Sequence, residues 1–430
     1  MAEIRPFKAL LYNSDKIKTD YSNVVAPPYD VIPDGMCDEL YEKNAYNVIR
    51  LILGKSLEGD SEENNKYTRA DRFLSEWQDQ EVLVKDKADA FYVYVQEYEY
   101  EGKTRRRIGF FGLMKIEDPG EQSVIPHEHT LAKPKEDRMN LIKHVKGNLS
   151  PIFVLYEEDT GTITGILEKT ASSSKPVIDT EVGGERHKLW RIREEGDIKE
   201  IISAMGDKKV YIADGHHRYE VAKSYRNARR QLEGYDGSAD HVLMYFTDMV
   251  GDESRNSLTV MATHRAIKEM PVTPAELADK LSGYFDVAEC KDLPELMDRL
   301  DGATDKDHVL GYFGGDKYLS IKLKDEKSLP ELITGKKSIE WKQLDVSILH
   351  AGILRNLLGV KKDEGNITYV KDAKQAEALV KDGSHAAAFL LNPTRVWQIK
   401  TVSENGDMMP QKSTYFYPKL LSGLVINKFD

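Results

Sequence analysis

Cysteine is nearly missing from these 430 residues: only Cys37 and Cys290 occur, far apart in the chain. Neither a disulfide framework nor a thiolate metal cluster can be read from them, and the usage fits a reducing cytoplasm. Basic charge is also short. Lys and Arg number 61 against 72 Asp and Glu, a net charge of −11, which disfavours broad docking on DNA, RNA or anionic lipid while leaving room for a local basic pocket. Long apolar runs are absent too. No window approaches ~18 uninterrupted apolar residues, and the opening "MAEIRPFKALLYN" has no apolar stretch with a cleavage site, so neither a membrane span nor secretion is expected. Small molecules are the expected partners, with no nucleic acid and no membrane among them.

What is present is enough for ordinary cores: 40% of the residues are hydrophobic, and the length suits two or three domains. "NVVAPPYDVIPDG" joins a short apolar strand to a double-proline turn, and residues 34–43 read as a short helix. "YNVIRLILG" reads as a buried strand ended by Gly54. Residues 61–80 form an amphipathic helix with Phe73, Leu74 and Trp77 on one face. "AFYVYVQEYEYEGKTRRRIGFFGLMKI" is a long hairpin turning at Glu101 and Gly102, with its Tyr and Arg teeth expected on a solvated face. A helix over 135–146 and the strand "SPIFVLY" follow. The loop at 170–176 is rich in small residues, and no fixed-period repeat occurs. "DHVLMYFTDM" and "SLTVMATHRAI" read as paired strands of one sheet. From Thr273 helix and strand patterns alternate to the end, where "MPQKSTYFYPKLLSGLVI" is strand-like and suited to folding back on the first domain.

The segment "KKVYIADGHHRYEVAKSYRNARRQL" reads strand, tight turn, helix. Val210, Tyr211 and Ile212 make the strand. Val221, Ala222, Tyr225 and Ala228 make the helix's inward stripe, leaving Glu220, Lys223, Arg226, Arg229 and Arg230 outside. The polar cluster lies at the junction, where a helix's first turn has unpaired N–H groups and a partial positive charge. Gly215 lets that backbone approach a ligand. Arg218 adds a permanently charged planar fork for phosphate oxygens, and His216 and His217 each offer a hydrogen bond or a proton. Asp214 caps the helix, or orients a histidine or a metal ion. Singly these residues also serve ordinary ends, a cap, packed rings and a surface ion pair; their coincidence at one helix start points to a phosphate clamp.

"ADGHHRYEVAK" resembles the box of the ParB/sulfiredoxin superfamily, in which a strand leads into Gly-x-His-Arg or Gly-x-Arg-Arg at a helix start that holds nucleotide phosphates. Gly215, His217 and Arg218 match, with His216 at the variable position, where sulfiredoxins have a nucleophilic cysteine. The resemblance therefore implies no sulfinic-acid repair, and nothing suggests the basic helix-turn-helix of partition proteins. Free serine kinases are the remaining branch. Together "VVAPPYDVI", "PHEHTLAKPKEDRMNLIKHVKGNLSPIF", "HKLWRI", "LDVSILH" and "MPQKSTYFYPKLLSGL" resemble, over essentially the whole chain, an uncharacterised bacterial and archaeal family titled as a domain of unknown function. The resemblance implies an α/β (α+β) fold. A ParB/sulfiredoxin-like mixed-sheet domain would span 1–268, with a large insertion at about 60–205, followed by a C-terminal α/β domain over 269–430.

Free serine kinases use an N-terminal glutamate as the base that takes the serine hydroxyl proton, and Asp30, one methylene shorter, is the nearest equivalent here. The other reading of Asp30 is a turn stabiliser. "PHEHT" places His127 and His129 on one face if extended, but no third ligand is evident and the spacing is not His-Glu-x-x-His, so no metal ligands are assigned. Instead His127, Glu128 and Thr130 are expected to line a polar cleft with Lys135, Arg138 and Asn148, a solvated helix face being the other reading of Lys135 and Arg138. "QKST" resembles the end of a phosphate-binding loop but lacks its glycines, leaving Lys412 as a candidate to reach the cleft from the C-terminal strand, an ordinary edge strand being the other reading. Arg265, closing a strand beside the box, is a second candidate phosphate ligand. The resulting expectation is a cytoplasmic phosphotransferase. Its clamp holds ATP, ADP or pyrophosphate, Mg²⁺ accompanies the donor, Asp30 and His217 handle protons, and the acceptor is a small hydroxylated metabolite, L-serine first. A nucleotide-binding regulator without turnover and a metal-dependent hydrolase built on "HEH" are the alternatives.

Overall fold

The alternation on either side of Glu101 and Gly102 does form a hairpin in the computed structural model, which describes residues 2–250, 256–360 and 365–429. Phe91–Tyr100 and Lys103–Lys115 pair antiparallel. Glu101 and Gly102 both take positive φ, 51° and 70°, as a two-residue turn between right-twisted strands requires. The hairpin lies within a nine-stranded sheet. On one side follow His241–Asp248, Ile152–Tyr156, Val210–Asp214 and Val124–Ile125; on the other, Glu185–Ile192 and Ile178–Val182; the ninth strand, Ile4–Arg5, pairs antiparallel with Lys103–Lys115. The sheet is mixed, because His241–Asp248 runs parallel to Ile152–Tyr156 and Val210–Asp214 parallel to Val124–Ile125, while the hairpin and its flanks are antiparallel.

Two units emerge from the contacts. The first gathers residues up to 126, 130–258 and those from 418 on; the second comprises His127–His129 and Thr259–Tyr417. In the first, Ile163, Ile166 and Leu167 of the helix Thr162–Ser173 and Ile201 and Met205 of Glu195–Met205 share a core with the sheet. Tyr219 and Ala222 of the helix His216–Arg229 join that core, while its Val221 and Tyr225 pack with Ile142 of the helix Ala132–Val145. The box helix is thus wedged between the sheet and a second helix. Burying a side chain such as Val221, Ile163 or Leu167 contributes roughly 1.5–3 kcal/mol, which holds the helix against the sheet.

Several expectations are corrected here. Most of the hairpin's teeth are not solvated: Tyr92, Tyr94, Tyr98 and Arg107 are buried, while Tyr100, Arg105 and Arg106 are half-buried. The four buried ones each find a polar partner inside, Tyr92 with Asp86 at 3.0 Å, Tyr94 with His187 at 2.7 Å, Tyr98 with the Ser257 carbonyl at 3.2 Å, and Arg107 with Gln96. Alternation shows which residues share a face but not whether that face is covered. Arg226, read as outward, is only 1% exposed and donates to the carbonyls of Ile116 and Glu117, both at 2.7 Å. The run from Tyr46 is not a strand but carries the short helix Ile49–Ile52, since a brief all-apolar stretch has no period to distinguish the two. Among the described residues the C-terminal stretch "MPQKSTYFYPKLLSGLVI" carries just the short strand Phe416–Tyr417, with Asn427–Lys428 following it.

The second unit has a six-stranded antiparallel sheet, ordered Phe285–Cys290, Lys317–Leu323, Val309–Gly314, Ala387–Leu390, His264–Ile267 and Ile367–Val370. Its faces carry separate cores. One contains Leu310, Tyr312 and the helix residues Leu277 and Leu281; the other contains Phe313, Leu296 and Val380. His264–Ile267 therefore belongs to this sheet and not to that of His241–Asp248: adjacency in sequence did not carry over into pairing.

His308 of this unit lies between two carboxylates, with Nδ1 2.7 Å from Asp345 Oδ1 and Nε2 3.2 Å from Glu326 Oε1. Burial pulls its pKa down, but Asp345 and Glu326 together outweigh burial and raise it above the ordinary 6.5. A histidine whose folded pKa is raised stabilises fully below its unfolded value and loses that contribution as pH rises through the folded one. His264 and His187, held down by burial to about 4 and about 3, act in the opposite sense, costing stability as pH falls. The difference in melting temperature between the wild type and His308→Gln, followed from acid to alkaline pH, is expected to be largest below 6.5 and to shrink above it. A pH-independent difference would rule the charged triad out.

Candidate functional site

The strand Val210–Asp214 delivers Asp214 to the edge of the core, and Gly215 turns the chain into the helix His216–Arg229. Gly215 has φ +97°, a conformation strained for any other residue, and a Cβ there would sit 3.0–3.1 Å from the Arg218 guanidinium and press it aside. No side chain caps this helix. Arg218 reaches back to the Asp214 carboxylate and to the Pro151 carbonyl, and Lys419 donates to the other oxygen of Asp214. The side chains of Arg218, Asp214 and Lys419 keep only 12%, 14% and 13% exposure. Burial pushes the Asp214 carboxyl up, but Lys419 and Arg218 outweigh that and hold it well below the usual carboxylate range.

Arg218 also lines a cavity shared with Tyr29, Arg138, Asn148 and Ser150 and floored by apolar residues such as Val221. The Arg138 guanidinium stacks 4.0 Å over the Tyr29 ring and donates to the Ile52 carbonyl at 2.7 Å and to Asp137 at 2.9 Å. Burial raises the Tyr29 hydroxyl's pKa, Asp30 and Asp214 add to the rise, and Arg138 and Arg218 oppose it. Tyr29 therefore feels the charges of both the N-terminal turn and the box. Asp30 is exposed beside it in the single turn Tyr29–Val31.

The first unit thus brings together Asp214, Gly215, Arg218, Arg138, Asn148 and the turn bearing Asp30. Arg138 is not on a solvated face but 8% exposed. Asn148 accepts from the Leu243 N–H at 3.1 Å and from Asn427 at 3.0 Å, so it also ties the C-terminal segment to the sheet. His216 is buried at the helix start. His217 accepts the Leu131 N–H on Nε2 at 2.9 Å, which leaves its proton on Nδ1 and links the box to the helix Ala132–Val145. Lys135 is half-buried one turn from Arg138, and Thr130 is half-buried in the same unit.

Other candidates lie in the second unit. Arg265 is 1% exposed, in the strand His264–Ile267, donating to the carbonyls of Thr263 and Lys412, so the topology that put it beside the box does not hold. Lys412 is a turn residue at φ 55°. His127 is buried with Nε2 3.0 Å from Thr414 Oγ1, whereas His129 is exposed and Glu128 half-buried, so the two histidines do not share an environment. Among the described residues no group of three or more His, Cys, Asp or Glu is placed to hold a metal ion, and no helix is long and apolar enough to cross a membrane. Lys419 and Tyr29 are the residues that reading the sequence missed. Both fall inside the quoted motifs "YPKLLSGL" and "PPYD", but nothing local marks them as site residues.

The family described as "Protein of unknown function (DUF1015)" matches residues 4–347. The chain belongs to that family. No curated protein matches it. Among solved structures, this DUF1015 member is similar to a conserved hypothetical protein from Pyrococcus furiosus at 13% identity and TM-score 0.33, covering 71% of this chain and 92% of the other. It is also similar to a free serine kinase in complex with AMP, at 14% identity and TM-score 0.33, covering 68% and 83%. A third is SbnI with C-terminal truncation from Staphylococcus aureus, at 11% identity and TM-score 0.35, covering 73% and 86%.

Proposed function

We propose that this chain is a phosphotransferase of the ParB/sulfiredoxin superfamily, moving a phosphoryl group from a nucleotide or pyrophosphate donor to the hydroxyl of a small metabolite, with L-serine the acceptor that its sequence resemblance indicates. The observation that carries the reading is the uncapped helix start at Gly215, with Arg218 folded over it beside a cavity. Helix N–H groups and a guanidinium fork suit phosphate oxygens, and they stabilise charge that shifts onto those oxygens as transfer proceeds. The bond from phosphorus to the donor's bridging oxygen breaks, a bond to the acceptor oxygen forms, and Asp30 takes the hydroxyl proton. Mg²⁺ held by the donor's own oxygens would supply charge neutralisation, since Asp214 is engaged at both oxygens by Lys419 and Arg218. His217, with Nε2 already accepting a backbone N–H, is assigned to positioning the box helix, not to proton transfer.

A donor-by-acceptor matrix followed by phosphorus NMR tests this. ATP, ADP and pyrophosphate are each paired with L-serine and related hydroxylated amino acids. The expected outcome is a new phosphomonoester signal growing in proportion to donor consumed. Donor binding without consumption in any pairing would replace the enzyme by a nucleotide-binding regulator.

A further inference from the structure

The cavity that Tyr29 and Arg218 share is walled mostly by hydrocarbon. Eight aliphatic side chains line it, Ile142, Val145, Leu149 and Val221 among them, and all eight are buried. Among the described residues no carboxylate lines it, so an ammonium group entering it would find no counter-charge. Its volume is about 60 Å³, under half of the ~150 Å³ that admits a benzene ring, so a nucleobase or phenyl ring is too large and roughly two or three aliphatic carbons fit. One polar group in this wall has donors to spare. Asn148, 9% exposed, accepts the Leu243 N–H and the Asn427 amide on Oδ1, which leaves the two N–H bonds of Nδ2 with no acceptor among the described residues. The Ser150 hydroxyl beside it is engaged with Ser422 at 2.7 Å, so it does not serve as that acceptor. An N–H left unmatched at an apolar wall is costly, and a ligand oxygen placed there removes the cost.

We propose that this cavity seats the aliphatic part of the phosphoryl acceptor and that Asn148 Nδ2 donates to an oxygen of the same molecule. The acceptor class is then a hydroxylated amino acid with a short aliphatic extension beyond the carbon that bears its hydroxyl. The inference rests on the phosphoryl-transfer reading and narrows its acceptor. L-Serine has no carbon past that position and leaves the space empty. L-Threonine places a methyl group there and β-hydroxynorvaline an ethyl group, while the charged amino and carboxyl groups stay outside the aliphatic wall. β-Phenylserine carries the same groups with a ring that the volume excludes.

The test is calorimetric titration of the full chain with these four amino acids in the presence of ADP, beside phosphorus NMR of transfer to each. Affinity is expected to rise roughly 4- to 10-fold from L-serine to L-threonine and again to β-hydroxynorvaline, the worth of one carbon buried in an apolar pocket, and to collapse for β-phenylserine. Asn148→Asp keeps the oxygen that Leu243 and Asn427 use but replaces the amide donor by an acceptor. It should weaken the three aliphatic ligands about equally, roughly 10-fold, and leave their order unchanged, because the oxygen it held is common to the series. If Asn148→Asp does not fold, the order of affinities in the wild type decides alone. Equal affinity along the series, tight binding of β-phenylserine, or unchanged affinity in a folded Asn148→Asp would overturn the proposal, and transfer to L-serine in the same samples would leave the phosphotransferase standing. Binding in the expected order without transfer to any member would keep the cavity's ligand and overturn the transfer. A chain that neither binds nor phosphorylates any of the four would overturn both.

Discussion

Arg218→Ala is expected to bind the phosphate donor roughly 30-fold to several hundred-fold more weakly than the wild type, the range seen when one partner of a largely desolvated charge contact is truncated. The fold should survive. Asp214 keeps Lys419 as its partner, so no uncompensated charge is left behind, and the box helix is held by Tyr219, Val221, Ala222 and Tyr225, none of which the substitution touches. A loss of stability of about 1–3 kcal/mol is expected from the Pro151 carbonyl, which loses its donor. Titration with ADP, ATP and pyrophosphate, paired with thermal melts, separates the two effects. Unchanged affinity in a folded Arg218→Ala chain would remove the clamp from the proposed function.

How much of this was legible in the sequence depended on distance along the chain. Gly215 and Arg218 were legible because strand, turn and helix start lie within a few residues, and local physics prescribes what each can do there. Lys419 was not. It meets Asp214 across 205 positions, and among the chain's many lysines nothing local distinguishes it. Arg107 and Arg226 failed for another reason: patterning assigns charged residues to water, whereas both here have their donors satisfied inside the protein, Arg226 by carbonyls and Arg107 by Gln96 and a carbonyl. The strand His264–Ile267 was recognised as a strand, but its neighbours are Ile367–Val370 and Ala387–Leu390, distant partners that no local pattern could name. That misplacement took Arg265 with it. The hairpin and the succession of strands and helices, by contrast, follow from periodicity and turn signals, while the fold class came with the family resemblance.

Asp30→Asn tests the chemistry itself, because it keeps the shape and nearly all the polarity of the side chain but cannot accept a proton. Turnover is expected to fall by roughly two to four orders of magnitude, the usual contribution of a positioned general base. Donor affinity should barely change, since the proposed clamp draws its contacts from Gly215, Arg218 and the helix start. The competing role, a carboxylate that stabilises its turn, makes the opposite forecast of a lowered melting temperature with activity per folded molecule intact. The geometry of the turn weighs against that role: no hydrogen bond among the described residues holds the Asp30 side chain, and the turn Tyr29–Val31 has no side-chain cap. What fixes this turn is Tyr29, pressed against Arg138 with its hydroxyl in the field of Arg218 and Asp214. On the proposed reading, this exposed carboxylate, carried beside the anchored Tyr29 that lines the cavity, meets the acceptor there, and its removal costs rate without costing fold. Donor affinity, turnover and melting temperature measured on this one variant therefore divide the two roles, and full activity in Asp30→Asn would leave the proposed transfer without a base.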